Sequence, residues 1–213
     1  QEAALFRYQE ALELKPDYVE AAMVASAVLL ELDRPLEAAE PFRVLEQKFP
    51  ASSIVKNYLG RCLFRAGKVD EARSFLAKAI ELNPDFAEAL GNLGVLMWES
   101  GELDAAVETL GRAAEIAPDD PDIVFNVGMV YSQLGQSKEA ARVLEHFLVL
   151  EPENLDARVH LAVLKIDHGD VERGVLNLET VLAVDPEHAD ALRVVNDLQT
   201  ILDGAASNDS QGP

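Results

Sequence analysis

The chain has 213 residues, of which 38 are Asp or Glu and only 18 are Lys or Arg, so its formal net charge is −20. This acidity excludes nucleic acid and anionic lipid as partners, because both are bound by basic surfaces. No apolar run approaches the roughly 20 residues that cross a bilayer, so we expect no membrane insertion. The single cysteine, Cys62, excludes an internal disulfide, and its apolar helical surroundings predict a small buried residue.

Proline recurs along the chain at one constant interval, at Pro16, Pro50, Pro84, Pro118, Pro152 and Pro186. Two columns of small residues follow the same period. The first column contains Ala4, Ala38, Ala72, Ala106, Ala140 and Gly174, and the second contains Ser26, Gly60, Gly94, Gly128 and Ala162. Because a glycine inside a helix costs about 1 kcal/mol relative to alanine, these columns predict a repeated close crossing of two helices.

The repeat also has a fixed order of apolar positions. In residues 87–120 they are Leu90, Leu93, Gly94, Met97, Ala106, Leu110, Ala113 and Pro118. This order resembles the tetratricopeptide repeat, a 34-residue pattern of W-x2-L-G-x2-Y, then A-x3-F, then P, although no repeat here keeps the Trp. The resemblance implies an all-α fold, a right-handed superhelical solenoid of antiparallel helix pairs with about twelve helices.

The period predicts how the chain is organised. Residues 1–18 form a half repeat, residues 189–203 a terminal capping helix, and residues 204–213 a disordered tail. Five full repeats lie between them, at residues 19–52, 53–86, 87–120, 121–154 and 155–188, and we expect one solenoid over residues 1–203. Gln1 begins the chain inside a helical pattern without a signal peptide, so we expect a processed or excised segment.

The first full repeat is the least regular. Asp33 replaces the glycine that later repeats place at the turn between their helices, at Gly67, Gly101 and Gly135, where a left-handed residue is needed. Pro41 falls inside the predicted second helix, where a proline removes a backbone hydrogen bond at a cost of about 3 kcal/mol. We therefore predict a kink or a short break near Pro41.

Two carboxylates are predicted to cap helices. Asp85 and Asp120 precede the first helices of the third and fourth repeats, where an aspartate accepts hydrogen bonds from free backbone N–H groups. They therefore predict helices that begin near Ala87 and Pro121.

The chain lacks the residue patterns of an active site. The segment GRCLFRAGK, residues 60–68, differs from a phosphate loop in its glycine spacing, has Val69 in place of Ser or Thr, and follows no strand. The four histidines, His146, His160, His168 and His188, have no metal-ligand spacing. Carboxylates are so frequent that solvated helix faces explain them. We predict that the protein is not an enzyme and uses no cofactor or metal.

The resemblance also implies a binding surface. In this family the first helix of each repeat lines the concave wall of the superhelix, and the usual ligand is a peptide or a protein segment. Helical phase places on that wall Asn57, Arg61, Phe64 and Arg65 of the second repeat, Asn92, Val95 and Trp98 of the third, Phe125, Asn126 and Met129 of the fourth, and Val159, His160 and Val163 of the fifth. We expect these residues to form a peptide-binding groove.

Three features of this predicted groove bear on its ligand. Asn92 and Asn126 share one column, where a carboxamide donates to and accepts from a peptide backbone, as in the asparagine ladder of some family members. Trp98 is the expected anchor of an apolar floor, because aromatic residues dominate hot spots; inter-repeat packing is its alternative role. Arg61 and Arg65, one helical turn apart, either receive a carboxylate or pair with nearby Glu and Asp.

These observations predict a non-catalytic protein-interaction scaffold that binds a peptide or a helix of a partner protein in its concave groove. The acidic rim favours an apolar ligand with some basic character. Two alternatives remain open: a self-assembling structural protein, and the substrate-recruiting arm of a larger enzyme. The cytoplasm is the favoured compartment, with the periplasm or another compartment as the alternative.

Overall fold

The computed structural model describes Lys15 and residues 18–209, with side chains as far as residue 201. Eleven α-helices and no strand lie in this part of the chain. They are α1 (Val19–Glu31), α2 (Pro35–Lys48), α3 (Ser53–Arg65), α4 (Val69–Leu82), α5 (Ala87–Glu99), α6 (Leu103–Ile116), α7 (Pro121–Gln133), α8 (Ser137–Leu150), α9 (Leu155–Asp167), α10 (Val171–Val184) and α11 (Ala189–Asp209). The predicted all-α class is confirmed, while the helix predicted in the half repeat 1–18 lies outside the described helices.

The first ten helices form five pairs, and each pair is one repeat. The first helix of a pair has 13 residues and the second has 14, and the short turn between them makes the pair antiparallel. Helices that open a repeat begin at Val19, Ser53, Ala87, Pro121, Leu155 and Ala189, with the same interval that separates the prolines. The period of the sequence is therefore the period of the helix pairs.

The turn inside each pair holds one residue in the left-handed region. The values of φ are 73°, 82°, 73° and 89° at Gly67, Gly101, Gly135 and Gly169. Asp33 adopts the same conformation, with φ of 56°, and the N–H of Arg34 then closes the turn on the Leu29 carbonyl oxygen at 2.8 Å. The predicted glycine turns are confirmed, and Asp33 takes this conformation without the freedom of glycine.

The small residues of the first helices lie where the second helix of the same pair crosses. A Cβ atom on Gly94 would lie 2.5 Å from Cγ of Leu110, and one on Gly60 would lie 2.7 Å from Cγ of Leu76. Both leucines are fully buried. The predicted close crossing is confirmed, because these distances leave no room for a side chain on the glycines.

The chain forms two compact units, Gln1–Pro118 and Asp119–Pro213, called unit 1 and unit 2 below. In the described part of unit 1, one core joins α1 to α5, and the Phe42 ring stacks on Tyr58 with centroids 5.4 Å apart. In unit 2, Phe125 packs against Phe147 at 5.1 Å, and a further cluster joins α9, α10 and α11. Each unit therefore has packed clusters of its own that fix the positions of its first helices.

Helix α2 is continuous through Pro41, so the predicted break is wrong, while the kink, its alternative, stays a prediction. The N–H that proline lacks would have bonded the carbonyl of Glu37, in the preceding turn of the helix. Glu37 is exposed, so water can satisfy that carbonyl. The burial of Ala38, Phe42 and Leu45 on the other face keeps the helix in place.

Helix α11 extends to Asp209, so the end predicted at residue 203 and the disordered tail predicted over 204–213 are wrong for residues 204–209. Ala205 and Ala206 have the highest helix propensity of any residue type, which offsets the low propensity of Gly204. Residues 210–213 lie outside the described part of the chain.

Candidate functional site

A cleft of about 360 Å³ opens on the face that the first helices form in unit 1. It is lined by Ala27 and Leu30 of α1, Arg61, Phe64 and Arg65 of α3, and Asn92, Val95 and Glu99 of α5. All three helices open a repeat. This unit 1 cleft therefore brings together five predicted site residues: Arg61, Phe64, Arg65, Asn92 and Val95.

The two arginines of the unit 1 cleft differ in their partners. The Arg61 guanidinium lies over the Tyr58 ring, 4.7 Å from its centroid, and its Nη1 is 3.6 Å from Oε1 of Glu88. Arg61 thus takes the second of its two predicted roles, which was pairing with a nearby acid. Arg65 is exposed, and no carboxylate of the described residues pairs with it. Arg65 is therefore the cation of this cleft that is open to a ligand.

Asn57, a predicted groove residue, lies beneath the surface with 0% of its area exposed. Its Oδ1 accepts a hydrogen bond from Nδ2 of Asn92 at 2.8 Å, and its own Nδ2 is buried without an acceptor. A direct contact between Asn57 and a ligand is therefore wrong, because packing between α3 and α5 covers it. Asn57 instead orients the Asn92 carboxamide, which lines the cleft.

A second cleft, of about 500 Å³, opens on the first-helix face of unit 2. It is lined by Phe125 and Met129 of α7, Asp156, Ala157, Val159, His160 and Val163 of α9, and Asp190, Arg193 and Val194 of α11. Five of these were predicted from the sequence: Phe125, Met129, Val159, His160 and Val163. The side chains of this unit 2 cleft form an apolar floor, and Val159 belongs to its buried part, with 6% exposed.

His160 is the titratable group inside the unit 2 cleft. Its Nε2 lies 3.0 Å from Oγ of Ser132, and burial lowers the pKa of the imidazole below its ordinary value. A lowered pKa keeps His160 neutral at pH 7. The ring therefore contributes a polar but uncharged wall to this cleft.

Carboxylates stand at the rim of the unit 2 cleft. Asp156 is 3.2 Å from Nε2 of His188, and its side chain is 89% exposed. Asp190 pairs with Arg193 of the next helical turn at 2.8 Å. Both carboxylates are themselves exposed, and an ion pair of an exposed carboxylate contributes little to stability, so both are available to a competing cation.

Two predicted residues, Trp98 and Asn126, are half-buried and line neither cleft. Conversely, the lining residues that lie outside the regular repeats were missed: Ala27, Leu30, Asp190, Arg193 and Val194. They belong to the irregular first repeat and to the terminal helix. The repeat period indicates such positions, because Ala27 lies one repeat before Arg61 and Leu30 lies one repeat before Phe64.

Cys62 is the free thiol of the described residues and is buried. Burial raises its pKa to about 11, so the thiol is protonated at pH 7 and is a poor nucleophile. Its predicted role as a small core residue is confirmed by 0% exposure.

Within residues 18–209, every helix is too short or too polar to traverse a bilayer.

Two models of the tetratricopeptide repeat match the chain, one over residues 63–124 and one over residues 121–154. The chain belongs to the tetratricopeptide repeat family. The repeats place it among protein-interaction scaffolds, which are generally non-catalytic.

Similar proteins match this tetratricopeptide repeat chain over short stretches. An uncharacterized protein of Aquifex aeolicus (strain VF5) is 33% identical over 75 residues, or 35% of this chain and 10% of that protein. The protein CTR9 homolog of Arabidopsis thaliana is 30% identical over 94 residues, or 44% of this chain and 9% of that protein. The chain spans about a tenth of the length of these curated relatives.

A solved structure matches the chain over most of its length. The crystal structure of YrrB, a TPR protein with an unusual peptide-binding site, has a TM-score of 0.66 at 17% identity and covers 89% of this chain and 97% of its own. At this identity the likeness shows a common fold of helical repeats.

Proposed function

We propose that this protein binds peptide segments of a partner protein on the first-helix faces of its repeats, and that the unit 2 cleft holds an apolar side chain next to a basic one. The observation that carries the proposal is the composition of this cleft. Phe125, Met129, Val159, Val163 and Val194 supply an apolar floor, while Asp156 and Asp190 stand beside it. Ligand sites of proteins commonly combine an apolar lining with a few polar groups that fix orientation.

The apolar floor supplies most of the expected affinity. Complete burial of a Leu, Met or Phe side chain is worth about 1.5–3 kcal/mol, and a helix or an extended peptide presents such anchors at regular spacing. The cleft draws side chains from α7, α9 and α11. A ligand that fills it therefore contacts several repeats of unit 2 at once.

Charge supplies orientation and speed of association. The chain has a net charge of −20, and a field of one sign raises the association rate of an oppositely charged ligand at low salt. Asp156 and Asp190 place two of these negative charges beside the apolar floor, and Arg193 offsets one of them. A Lys or Arg next to the apolar anchor is the residue class that suits this rim.

The structural likeness to YrrB supports the proposal by analogy. YrrB is a TPR protein with an unusual peptide-binding site and shares the fold of this chain at 17% identity. The analogy concerns the mode of binding and not individual side chains, since the two chains are 17% identical.

The test is a selection of peptides from a random phage-displayed library on the intact protein, followed by fluorescence anisotropy with the synthetic peptides. Val163→Glu places a carboxylate on the apolar floor, so we expect roughly hundredfold weaker binding of peptides that use this cleft. Val149→Glu is the matched control, because Val149 of α8 is 76% exposed and lies outside both clefts.

Circular dichroism verifies that both variants keep their helices. Selected peptides that bind more weakly to Val163→Glu but lack an apolar residue beside a basic one would overturn the ligand class proposed for the unit 2 cleft. A protein that selects no peptide at all would overturn peptide binding itself.

Self-assembly is a second candidate function. Leu176 and Val184 of α10 and Ile201 of α11 are large apolar residues with 60%, 69% and 67% of their areas exposed, and exposed apolar side chains of this kind occur at protein interfaces. Light scattering over a wide range of protein concentrations distinguishes the candidates. A mass that stays monomeric throughout would contradict self-assembly and leave peptide binding untouched.

A further inference from the structure

We infer that the unit 1 cleft takes the carboxylate of an Asp or Glu side chain of the partner, and that an apolar residue of the same segment packs beside it. This inference rests on the proposed function, because it assumes that first-helix faces bind peptides. It gives the two clefts ligands of opposite charge. Arg61 and Arg65, one helical turn apart on one face of α3, both line this cleft.

Arg65 is the first reason for this assignment. The chain has 38 acidic and 18 basic residues, and three other arginines of unit 1 form ion pairs: Arg34 with Glu37, Arg43 with Glu71, and Arg73 with Glu102. Within the described residues, no carboxylate forms an ion pair with Arg65. A guanidinium has a planar set of donors that matches a carboxylate. An exposed Arg65 at the mouth of a cleft is therefore suited to a carboxylate from outside the chain.

Arg61 supplies the second reason. Its Nη1 is 3.6 Å from Glu88, which is longer than a hydrogen bond, and its Nε is buried without an acceptor. The Tyr58 ring lies 4.7 Å beneath its guanidinium carbon and limits its movement. The Arg61 side chain is 30% exposed, so a ligand oxygen can meet the exposed end of its guanidinium, which the long contact with Glu88 leaves without a close acceptor.

The charge balance of the lining residues limits the ligand to one carboxylate. Arg61 and Arg65 contribute two positive charges to the lining and Glu99 contributes one negative charge. Glu88 offsets Arg61 from 3.6 Å away, so Arg65 is the positive charge that remains for a ligand. A second carboxylate would meet Glu99, and like charges at short range are unfavourable. We therefore expect a single acidic residue at this position of the partner segment.

Apolar side chains form the rest of the unit 1 cleft. Beside the two guanidinium groups, the lining includes Leu30 of α1, Phe64 of α3 and Val95 of α5. Asn92 adds a carboxamide whose Nδ2 is already bonded to Asn57. The ligand class is therefore an internal acidic residue next to an aliphatic or aromatic one.

The test compares matched peptides by fluorescence anisotropy. Each selected peptide whose binding Val163→Glu leaves unchanged is made with acetylated and amidated ends, once with its acidic residue and once with Glu→Gln or Asp→Asn at that position. Peptides of this group without any acidic residue would overturn the inference. We expect the acidic form to bind roughly tenfold more tightly to the wild-type protein. Arg65→Gln removes this preference without weakening the amide form, and Arg65→Lys restores part of it.

Arg112→Gln is the matched control, because Arg112 is an exposed arginine of α6 in the same unit that lies outside the cleft. It makes the same change in net charge and should leave the preference intact. Equal binding of the acidic and amide peptides to the wild-type protein would overturn the inference while peptide binding stands. A peptide that binds more tightly through a free terminal carboxylate would overturn the assignment to a side chain.

Discussion

At the ninth residue of each first helix, the unit 1 cleft carries Arg61 and Val95, whereas the unit 2 cleft carries Met129 and Val163. The backbone position is the same in all four repeats, because the packing columns recur once in every repeat. The packing columns therefore determine where a side chain is presented, while the variable columns determine which ligand it suits. One repeat plan thus yields a cationic cleft and an apolar one.

Two helix crossings, one from each unit, also differ in how closely their helices approach. A Cβ atom on Gly94 of unit 1 would lie 2.5 Å from Cγ of Leu110. On Gly128 of unit 2 it would lie 3.0 Å from Cδ2 and 3.1 Å from Cγ of Leu144. The longer distances require a smaller shift of the leucine, so the crossing at Gly128 is more tolerant of an added methyl group.

The largest effect is expected from substituting these two glycines. Gly94→Ala should lower the free energy of unfolding by about 2 kcal/mol, because overpacking outweighs the gain of about 1 kcal/mol from replacing a helical glycine. Gly128→Ala should change it by less than about 0.5 kcal/mol, since the two contributions nearly cancel. Urea denaturation followed by circular dichroism measures both.

Gly111→Ala serves as the control for helix propensity. A Cβ atom at Gly111 meets nothing within 4 Å, so this substitution should raise stability by about 0.5–1 kcal/mol. Equal losses for Gly94→Ala and Gly128→Ala would show that the crossings do not differ in tolerance.

A reciprocal exchange tests the turns of the two units. Asp33→Gly in unit 1 should raise the free energy of unfolding by about 1 kcal/mol, because glycine adopts a left-handed φ without strain. Gly135→Asp in unit 2 should lower it by a similar amount, since Gly135 has φ of 73°. Urea midpoints that move in the same direction for both variants would contradict the role of backbone strain.

The smallest effect concerns pH and the unit 2 cleft. Burial lowers the pKa of His160 in the folded protein, whereas an unfolded histidine titrates near about 6.5. As the pH falls below that value, the unfolded chain binds the proton first, so stability is lost with decreasing pH. His160→Gln should flatten this decline in thermal melts recorded from neutral to mildly acidic pH. If the wild-type protein and the variant lose stability equally as the pH falls, protonation of His160 is not the cause of that loss.

Sequence reasoning succeeded where one residue type has one physical reason to stand at a position. The left-handed turns required glycine, and the helix crossings required small residues. Asp120 caps α7 as predicted, since its Oδ1 accepts from the N–H of Ile123 at 3.1 Å. Asp85 does not cap α5, because Phe86 occupies the capping position there.

The repeat period indicates the capping position of α5 better than the residue type does. Ser52 and Asn154 accept from backbone N–H groups at the starts of α3 and α9, and both stand in the same column of the repeat as Phe86. Asp85 lies one position earlier, too far from the first free N–H groups. Period therefore predicts a cap better than the presence of an aspartate does.

The repeat, its helix pairs and its turns can be predicted from the residues alone, because backbone strain and close packing allow few residue types at those positions. The chemistry of the clefts depends on tertiary contacts. Burial of Asn57 under α5, pairing of Arg61 with Glu88 and the open state of Arg65 depend on side chains from different repeats. Polar side chains far apart in sequence choose their partners by distance and burial, which a pattern of residues does not contain.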